Sequence, residues 1–363
     1  MDRRRFLIGG GMLAAPGLRG AVEGARLEEA ATILERAAGS GALRSATLEV
    51  RQGAFAFQKA FGKAGSPDAV FLIASITKPM TATGLMVLSD RGELTLEDPV
   101  QRFIPEFSEG DRRLITIRHL LTHTSGLPDQ LPENVELRRR LAPLEEFVER
   151  AIRTPLLFQP GSEVRYQSMG LLLASEVAQR ITGERFPAFL AKEVFGPLEM
   201  KRTALGLGRF KIAETELSQV DEAPGLYGRG GSDTKSWDWN SPYWRNLAAP
   251  WGGAHSTGPD IAKFLDSFLN PDGRVVKEST ARAMVVNQTG LDEPWGIGWA
   301  MKPGRFGESC SENTFGHSGS TGTLAWADRK TGLTCVVLTT LPARASGKTL
   351  LRPVSDVVST AAS

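Results

Sequence analysis

The chain has 363 residues, 41% of them hydrophobic and 23% charged, ordinary values for a globular protein of one large domain or two smaller ones. With 43 Lys and Arg against 41 Asp and Glu, the net charge of +2 offers no electrostatic basis for nucleic-acid binding. No run of about 18 apolar residues occurs past the N-terminus, so no transmembrane helix is expected.

Residues 1–24 read as an export signal. Arg3-Arg4-Arg5-Phe6-Leu7 has the twin-arginine pattern R-R-x-F-L, and a short Gly/Ala/Leu/Met-rich stretch follows to about Ala15. No A-x-A cleavage site stands between Ala14 and Ala25. Residues 25–363 are left as the working domain, expected outside the cytoplasm, in a periplasmic or secreted setting.

Leu27, Ala30, Ala31, Leu34, Ala37 and Ala38 recur at helical spacing, which predicts a helix over 26–39. Ala46–Arg51 and Ala54–Ala60 flank a Gln52-Gly53 turn and predict a β-hairpin. The apolar run Phe71-Leu72-Ile73-Ala74 then delivers Ser75, and Lys78 follows three positions later. Met80, Leu85, Met86, Val87 and Leu88 predict a helix that stops near Asp90-Arg91-Gly92.

Residues at i and i+3 share a helix face, so Ser75 and Lys78 point at one spot near a helix N-terminus. A serine hydroxyl is a poor nucleophile until a base takes its proton, and a desolvated lysine is neutral enough to serve. Amides at the helix N-terminus can donate to a developing oxyanion. An N-cap serine followed by a solvated lysine fits the same tetrad, so the tetrad alone leaves both readings open.

The middle of the chain, about 85–250, is helix-rich. Thr116 caps a short helix through Ile117, His119, Leu120 and Leu121 that stops at His123-Thr124-Ser125-Gly126. Helices are predicted over 144–153, ended by Pro155, over 169–182, closed by Gly183, and over 186–195. Residues 221–250 crowd Trp237, Trp239, Tyr243 and Trp244 into a loop that is either a substrate-facing wall or a lid on its own core. Asp260–Leu265 begins a further helix. Strands are predicted at Trp295–Met301, Asn313–His317, Thr323–Ala327 and Leu333–Leu338, with a hairpin turn at Asp328–Gly332 and a closing helix over 346–360. This order predicts an α+β fold: an antiparallel sheet built from both chain ends, flanked by helices, with a mostly helical insertion.

Two cysteines, Cys310 and Cys335, remain past the signal. An oxidising compartment permits a disulfide between them, and a buried thiol in a strand is the alternative for Cys335.

Tyr166 sits in Val164-Arg165-Tyr166-Gln167-Ser168, before the 169–182 helix, and His317 in Gly316-His317-Ser318-Gly319-Ser320, after a strand. Together with Ser75 and Lys78 they resemble the serine β-lactamase and penicillin-binding-protein superfamily. The likeness is greatest to its class C β-lactamase branch, with its DD-peptidase and esterase relatives. That branch shows S-x-x-K, then Y-x-N, then [KH]-[ST]-G, here Ser75–Lys78, Tyr166–Ser168 and His317–Gly319. Leu120–Leu127 is similar to the family's L-L-T-H-T-S-G-L and Gly252–Thr257 to its G-G-x-x-S-T; the likeness covers about residues 30–340.

The resemblance implies a β-lactamase/transpeptidase-like fold and a serine hydrolase without cofactor or metal. Its substrate would be a small ester, amide or peptide. Ser75 would be the acylated nucleophile, and Lys78 would hold or take its proton. Tyr166 would be a general base, primed by the charge of Lys78, and then an acid toward the leaving group. The backbone N–H groups of Ser75 and Ser320 would form the oxyanion hole. Ser168, His317, Ser318 and Gly319 would line the site. Two departures weaken a lactamase reading: Ser168 stands where the family commonly has Asn, and His317 where class C enzymes have a carboxylate-holding lysine. A true β-lactamase or DD-peptidase, or a non-catalytic binder of cell-wall peptide, are the alternatives.

Three other patterns carry less. His119 and His123 have a zinc-compatible spacing without the glutamate of H-E-x-x-H or a third ligand. Ser346-Gly347-Lys348-Thr349 is like the end of a phosphate loop, but Pro342 occupies the required first glycine position. No G-x-S-x-G elbow occurs, which argues against an α/β-hydrolase.

Overall fold

The computed structural model describes residues 22–362, so the predicted export signal lies almost wholly outside the described residues. Helix α1 (Gly24–Gly39) buries Leu27, Ala30, Ala31 and Leu34, the stripe its spacing predicts. Strands β1 (Ser45–Gln52) and β2 (Phe55–Gly62) form the hairpin, with Ser45 opposite Gly62. Strand β3 (Val70–Leu72) leads through a single tight turn into α2 (Thr77–Asp90). The helical middle follows: α3 (Ile117–Leu121), α4 (Asn134–Arg139), α5 (Leu144–Arg153), α6 (Met169–Thr182) and α7 (Phe186–Leu190), the last continued by a wider turn to Phe195. Two short strands come next, β4 (Ala204–Leu205) and β5 (Thr215–Glu216), then α8 (Pro242–Asn246), β6 (Ala254–Ser256), α9 (Gly258–Leu269) and α10 (Glu278–Met284). Strands β7 (Thr314–Gly319), β8 (Thr323–Asp328) and β9 (Leu333–Thr339) precede the closing helices α11 (Ala343–Ser346) and α12 (Arg352–Ser359).

The main sheet has the order β2-β1-β9-β8-β7, with every pair antiparallel. It draws two strands from the start of the chain and three from the end, the α+β arrangement expected. Both faces are covered. Leu48, Val50, Trp326, Cys335 and Val337 share a core with α1 and α12; Ala325, Ala327, Val336 and Leu338 join the larger core with α2, α6 and α9. Burial on both sides explains why Leu333–Leu338 is apolar at every position but Thr334 rather than an alternation. Helix α2 is buried at every position from Thr77 to Leu88, as befits the central helix of the molecule.

Two features differ from the sequence reading. Strands β4, β6, β3 and β5 form a second, four-stranded sheet of two- and three-residue strands, too short to leave a periodic signal. Residues 295–301 are a buried loop joined by isolated bridges, Trp295 to Ala300 and Ala300 to Gly316, not a strand. Gly298 breaks the extended backbone with φ +77, and a Cβ there would lie 2.6 Å from the Cβ of Ala82. The loop is pressed onto α2, and that packing produced its apolar pattern. Among the described residues no helix is long and apolar enough to cross a membrane.

Candidate active site

Ser75 occupies the turn between β3 and α2. The residue before it, Ala74, has φ +46, a left-handed conformation that costs a non-glycine residue on the order of 1 kcal/mol. Hydrogen bonds hold the turn in place. The hydroxyls of Thr321 and Thr323 donate to the carbonyls of Leu72 and Ile73 (2.6 and 2.9 Å), and Thr77 Oγ1 donates to the carbonyl of Ala74 (2.6 Å). Gly319 lets β7 come this close: a Cβ there would lie 2.4 Å from the carbonyl oxygen of Ile73.

One helical turn on, Lys78 is 1% exposed. Its Nζ donates to Ser75 Oγ (3.1 Å) and to the carbonyl of Trp251 (2.9 Å). Burial disfavours the ammonium and pulls its pKa down to about 7, with the carboxylate of Asp129 acting in the opposite direction.

Tyr166 is half-buried, immediately before α6, and hydrogen-bonds with Ser75. Its ring lies 4.7 Å from Lys78 Nζ, and its centroid 4.8, 5.9 and 6.1 Å from the rings of His123, His317 and Trp295. This packing desolvates the phenol, so its pKa lies well above the ordinary value, and the hydrogen bond from Ser75 lowers it only in part. Burial thus favours the neutral phenol. The group poised near neutrality is Lys78.

His317 is buried on β7. Its Nδ1 donates to the carbonyl of Ser318 (2.7 Å), and Nε2 has no partner among the described residues. Burial, then the charge of Lys78, lowers its pKa to about 3, so the imidazole is neutral at ordinary pH. Ser168 is buried at the start of α6, and its Oγ donates to Asp129 Oδ1 (2.5 Å).

These groups face a cleft of about 290 Å³. Ser75, Tyr166, Ser168, His317, Ser318, Gly319 and Ser320 line it, and Lys78 lies under Ser75, bonded to it. The structure therefore brings every predicted site residue to one place. Tyr227, Trp239, Trp244, Trp251 and Trp295 form aromatic walls, so the 221–250 loop is both a wall and a packed lid: Trp237, Trp239 and Trp244 are also buried. Behind the wall, the Arg138 guanidinium lies 4.0 Å from the Trp244 ring and 5.6 Å from that of Tyr227.

Sequence reasoning missed Asp129, Arg305 and the role of His123. Helix α3 ends at Leu121 and His123 takes a left-handed φ of +62, so the helical spacing of His119 and His123 does not hold. Instead His119 Nδ1 accepts from the N–H of Thr116 (3.1 Å), and His123 Nδ1 accepts from that of Gln167 (3.2 Å). The His123 carbonyl also accepts from the N–H of Arg165 (2.9 Å), and Ser125 Oγ donates to Gln167 Oε1 (2.5 Å). The Leu120–Leu127 stretch thus clamps the segment that carries Tyr166, and its family-like pattern was the available signal. Among the described residues no group of His, Cys, Asp and Glu could hold a metal ion.

Comparison with known proteins identifies the family. The β-lactamase family profile matches residues 31–357. The chain is 30% identical over 340 residues to the esterase EstB of Burkholderia gladioli, covering 80% of this chain and 84% of that one. It is 28% identical over 264 residues to penicillin-binding protein 4 of Amycolatopsis lactamdurans, covering 66% and 64%. Among solved structures, a hydrolase with promiscuous acyltransferase activity superposes with a TM-score of 0.74 at 20% identity, covering 92% of this chain and 99% of that one.

Proposed function

The chain belongs to the β-lactamase family of serine hydrolases, and from that premise we propose that it is an exported enzyme that forms an acyl-enzyme on Ser75 from a small ester, amide or peptide. The observation that carries the reading is the contact of 3.1 Å between Lys78 Nζ and Ser75 Oγ, with a lysine pKa of about 7. The neutral fraction of Lys78 takes the Ser75 proton as Oγ attacks the substrate carbonyl. The oxyanion is received by the N–H groups of Ser75 and Ser320; losing one such donor typically costs about 2.7–4 kcal/mol in the barrier. Tyr166, neutral and bonded to Ser75, passes its proton to the leaving group and is reprotonated from Lys78. Water then repeats the sequence on the acyl-enzyme, and Ser75 recovers its proton.

An ester or simple amide fits better than a β-lactam. The Ser168 hydroxyl is committed to Asp129, and His317 offers a neutral imidazole where a lactam's carboxylate calls for a cation. The esterase and penicillin-binding-protein names of the relatives support the same class. Export rests on Arg3-Arg4-Arg5-Phe6-Leu7.

A fluorophosphonate probe tests the whole reading. We expect labelling of the wild type in the exported fraction and none of Ser75→Ala. Label persisting in the mutant refutes the nucleophile, and turnover of a chromogenic cephalosporin above that of a short-chain nitrophenyl ester refutes the ester preference.

A further inference from the structure

The cleft contains a carboxylate that has no ion-pair partner within reach among the described residues. Asp129 is half-buried on the loop after α3 and lines the same cavity as Ser75. Among the described residues no lysine, arginine or histidine nitrogen lies within 4.0 Å of its carboxylate, and its hydrogen-bond partner is the neutral hydroxyl of Ser168 (2.5 Å). Arg305, which also lines the cleft, is already held by Glu293 (2.7 Å) and lies 5.0 Å from the Trp295 ring centroid. The cleft therefore holds a cation that is already paired and a carboxylate bonded to a neutral hydroxyl, and Tyr227, Trp239 and Trp244 line the same cavity. A carboxylate beside aromatic faces is the environment that a desolvated organic cation prefers. Where the Y-x-N pattern would place an amide, Ser168 orients that carboxylate.

Building on the Ser75 hydrolase reading, we infer that Asp129 is the binding site for an ammonium group on the acyl part of the substrate, so that the preferred substrates are amino-acyl esters or amides. Asp129 and Ser75 line one cavity, so a single bound substrate can meet both. A second duty for Asp129 is visible on the page, since its charge favours the protonated form of Lys78. That duty acts on every substrate alike, whereas recognition of an ammonium acts only on substrates that carry one.

The test compares the methyl esters of D- and L-phenylalanine with methyl 3-phenylpropanoate, which lacks only the amine, on the wild type and on Asp129→Asn. The quantity read is the ratio of kcat/KM, amino over des-amino, at a pH where the substrate amine is protonated. We expect a ratio of about 10 to 100 for one enantiomer in the wild type, from a hydrogen bond between charged groups, falling toward one in Asp129→Asn through KM. A shift of the pH profile common to all the esters, with the ratio kept, assigns Asp129 to Lys78 alone and overturns the inference. Turnover of the des-amino ester with a wild-type ratio near one also overturns it and leaves the hydrolase reading standing. Absence of turnover with every ester overturns both. If Asp129→Asn does not fold, inhibition of the wild type by 2-phenylethylamine against 2-phenylethanol gives the same decision: the amine is expected to bind more tightly, and equal inhibition refutes the subsite.

Discussion

Burying an amine where it meets one hydroxyl and one carbonyl costs the charged form more than the neutral one, and Lys78 shows the result in a pKa near 7. The sign of the pH dependence follows. Lys78 accepts the Ser75 proton only when neutral, so kcat/KM is expected to rise as pH climbs through about 7 and then level off. His317 adds no limb in that range, being neutral above about 3. Lys78→Arg keeps the positive charge at every accessible pH and is expected to lose about 10²–10⁴-fold in acylation. A pH profile on a neutral nitrophenyl ester checks both. An acid limb near 4 instead would point to a carboxylate as the base and remove Lys78 from that role. The S-x-x-K spacing allowed a neutral lysine base but could not decide for it. The spacing places the amine beside the hydroxyl, but the protonation state depends on burial by the packing around α2 and on the opposing charge of Asp129.

At the scale of elements, the edge strand β7 must approach the Ser75 turn more closely than a side chain allows. A Cβ on Gly319 would lie 2.2 Å from Thr323 Oγ1 and 2.4 Å from the carbonyl of Ile73, and neither of these can give way without breaking the bond that joins them. Gly319→Ala is expected to push β7, with His317 and Ser320, off the nucleophile turn. An ångström of displacement in an active site costs about 100-fold in rate. The expected signature is kcat/KM down by about that factor while the circular dichroism spectrum of the fold is retained. Wild-type kinetics in this variant would mean that β7 does not set the site's geometry. Elements with strong local signals were legible in advance: α6 runs from Met169 to Thr182, and Gly183 closes it with φ +69. The β3 and β6 strands that hold the turn were not, because three residues carry no period. Asp129 was not either, because a loop carboxylate gains its meaning only from what faces it across the cleft.

The whole molecule is a sheet sealed on both sides, and its two cysteines report on that seal. Cys335 lies at the centre of β9, the middle strand of the main sheet, with no exposed surface, and Cys310 is 8% exposed beside Ser355 of α12. Both thiols are free, so the disulfide that an oxidising compartment would permit is not formed in this structure. Burial raises the Cys310 pKa to about 11 and that of Cys335 well above the ordinary thiol value. Thiolate is the reactive form, so neither sulfur is expected to react with an alkylating reagent while α1 and α12 cover the sheet. Because this outer layer joins the first described helix to the last, exposing Cys335 requires both ends of the chain to leave the sheet together. Its labelling rate should therefore follow global unfolding, rising with urea in parallel with the loss of tryptophan fluorescence, while Cys310 near the rim labels at least as fast. Mass spectrometry of a labelling time course separates the two sites. Fast labelling of Cys335 in native buffer would show that the outer layer opens on its own, and failure of both to label in denaturant would show that they are bridged after all.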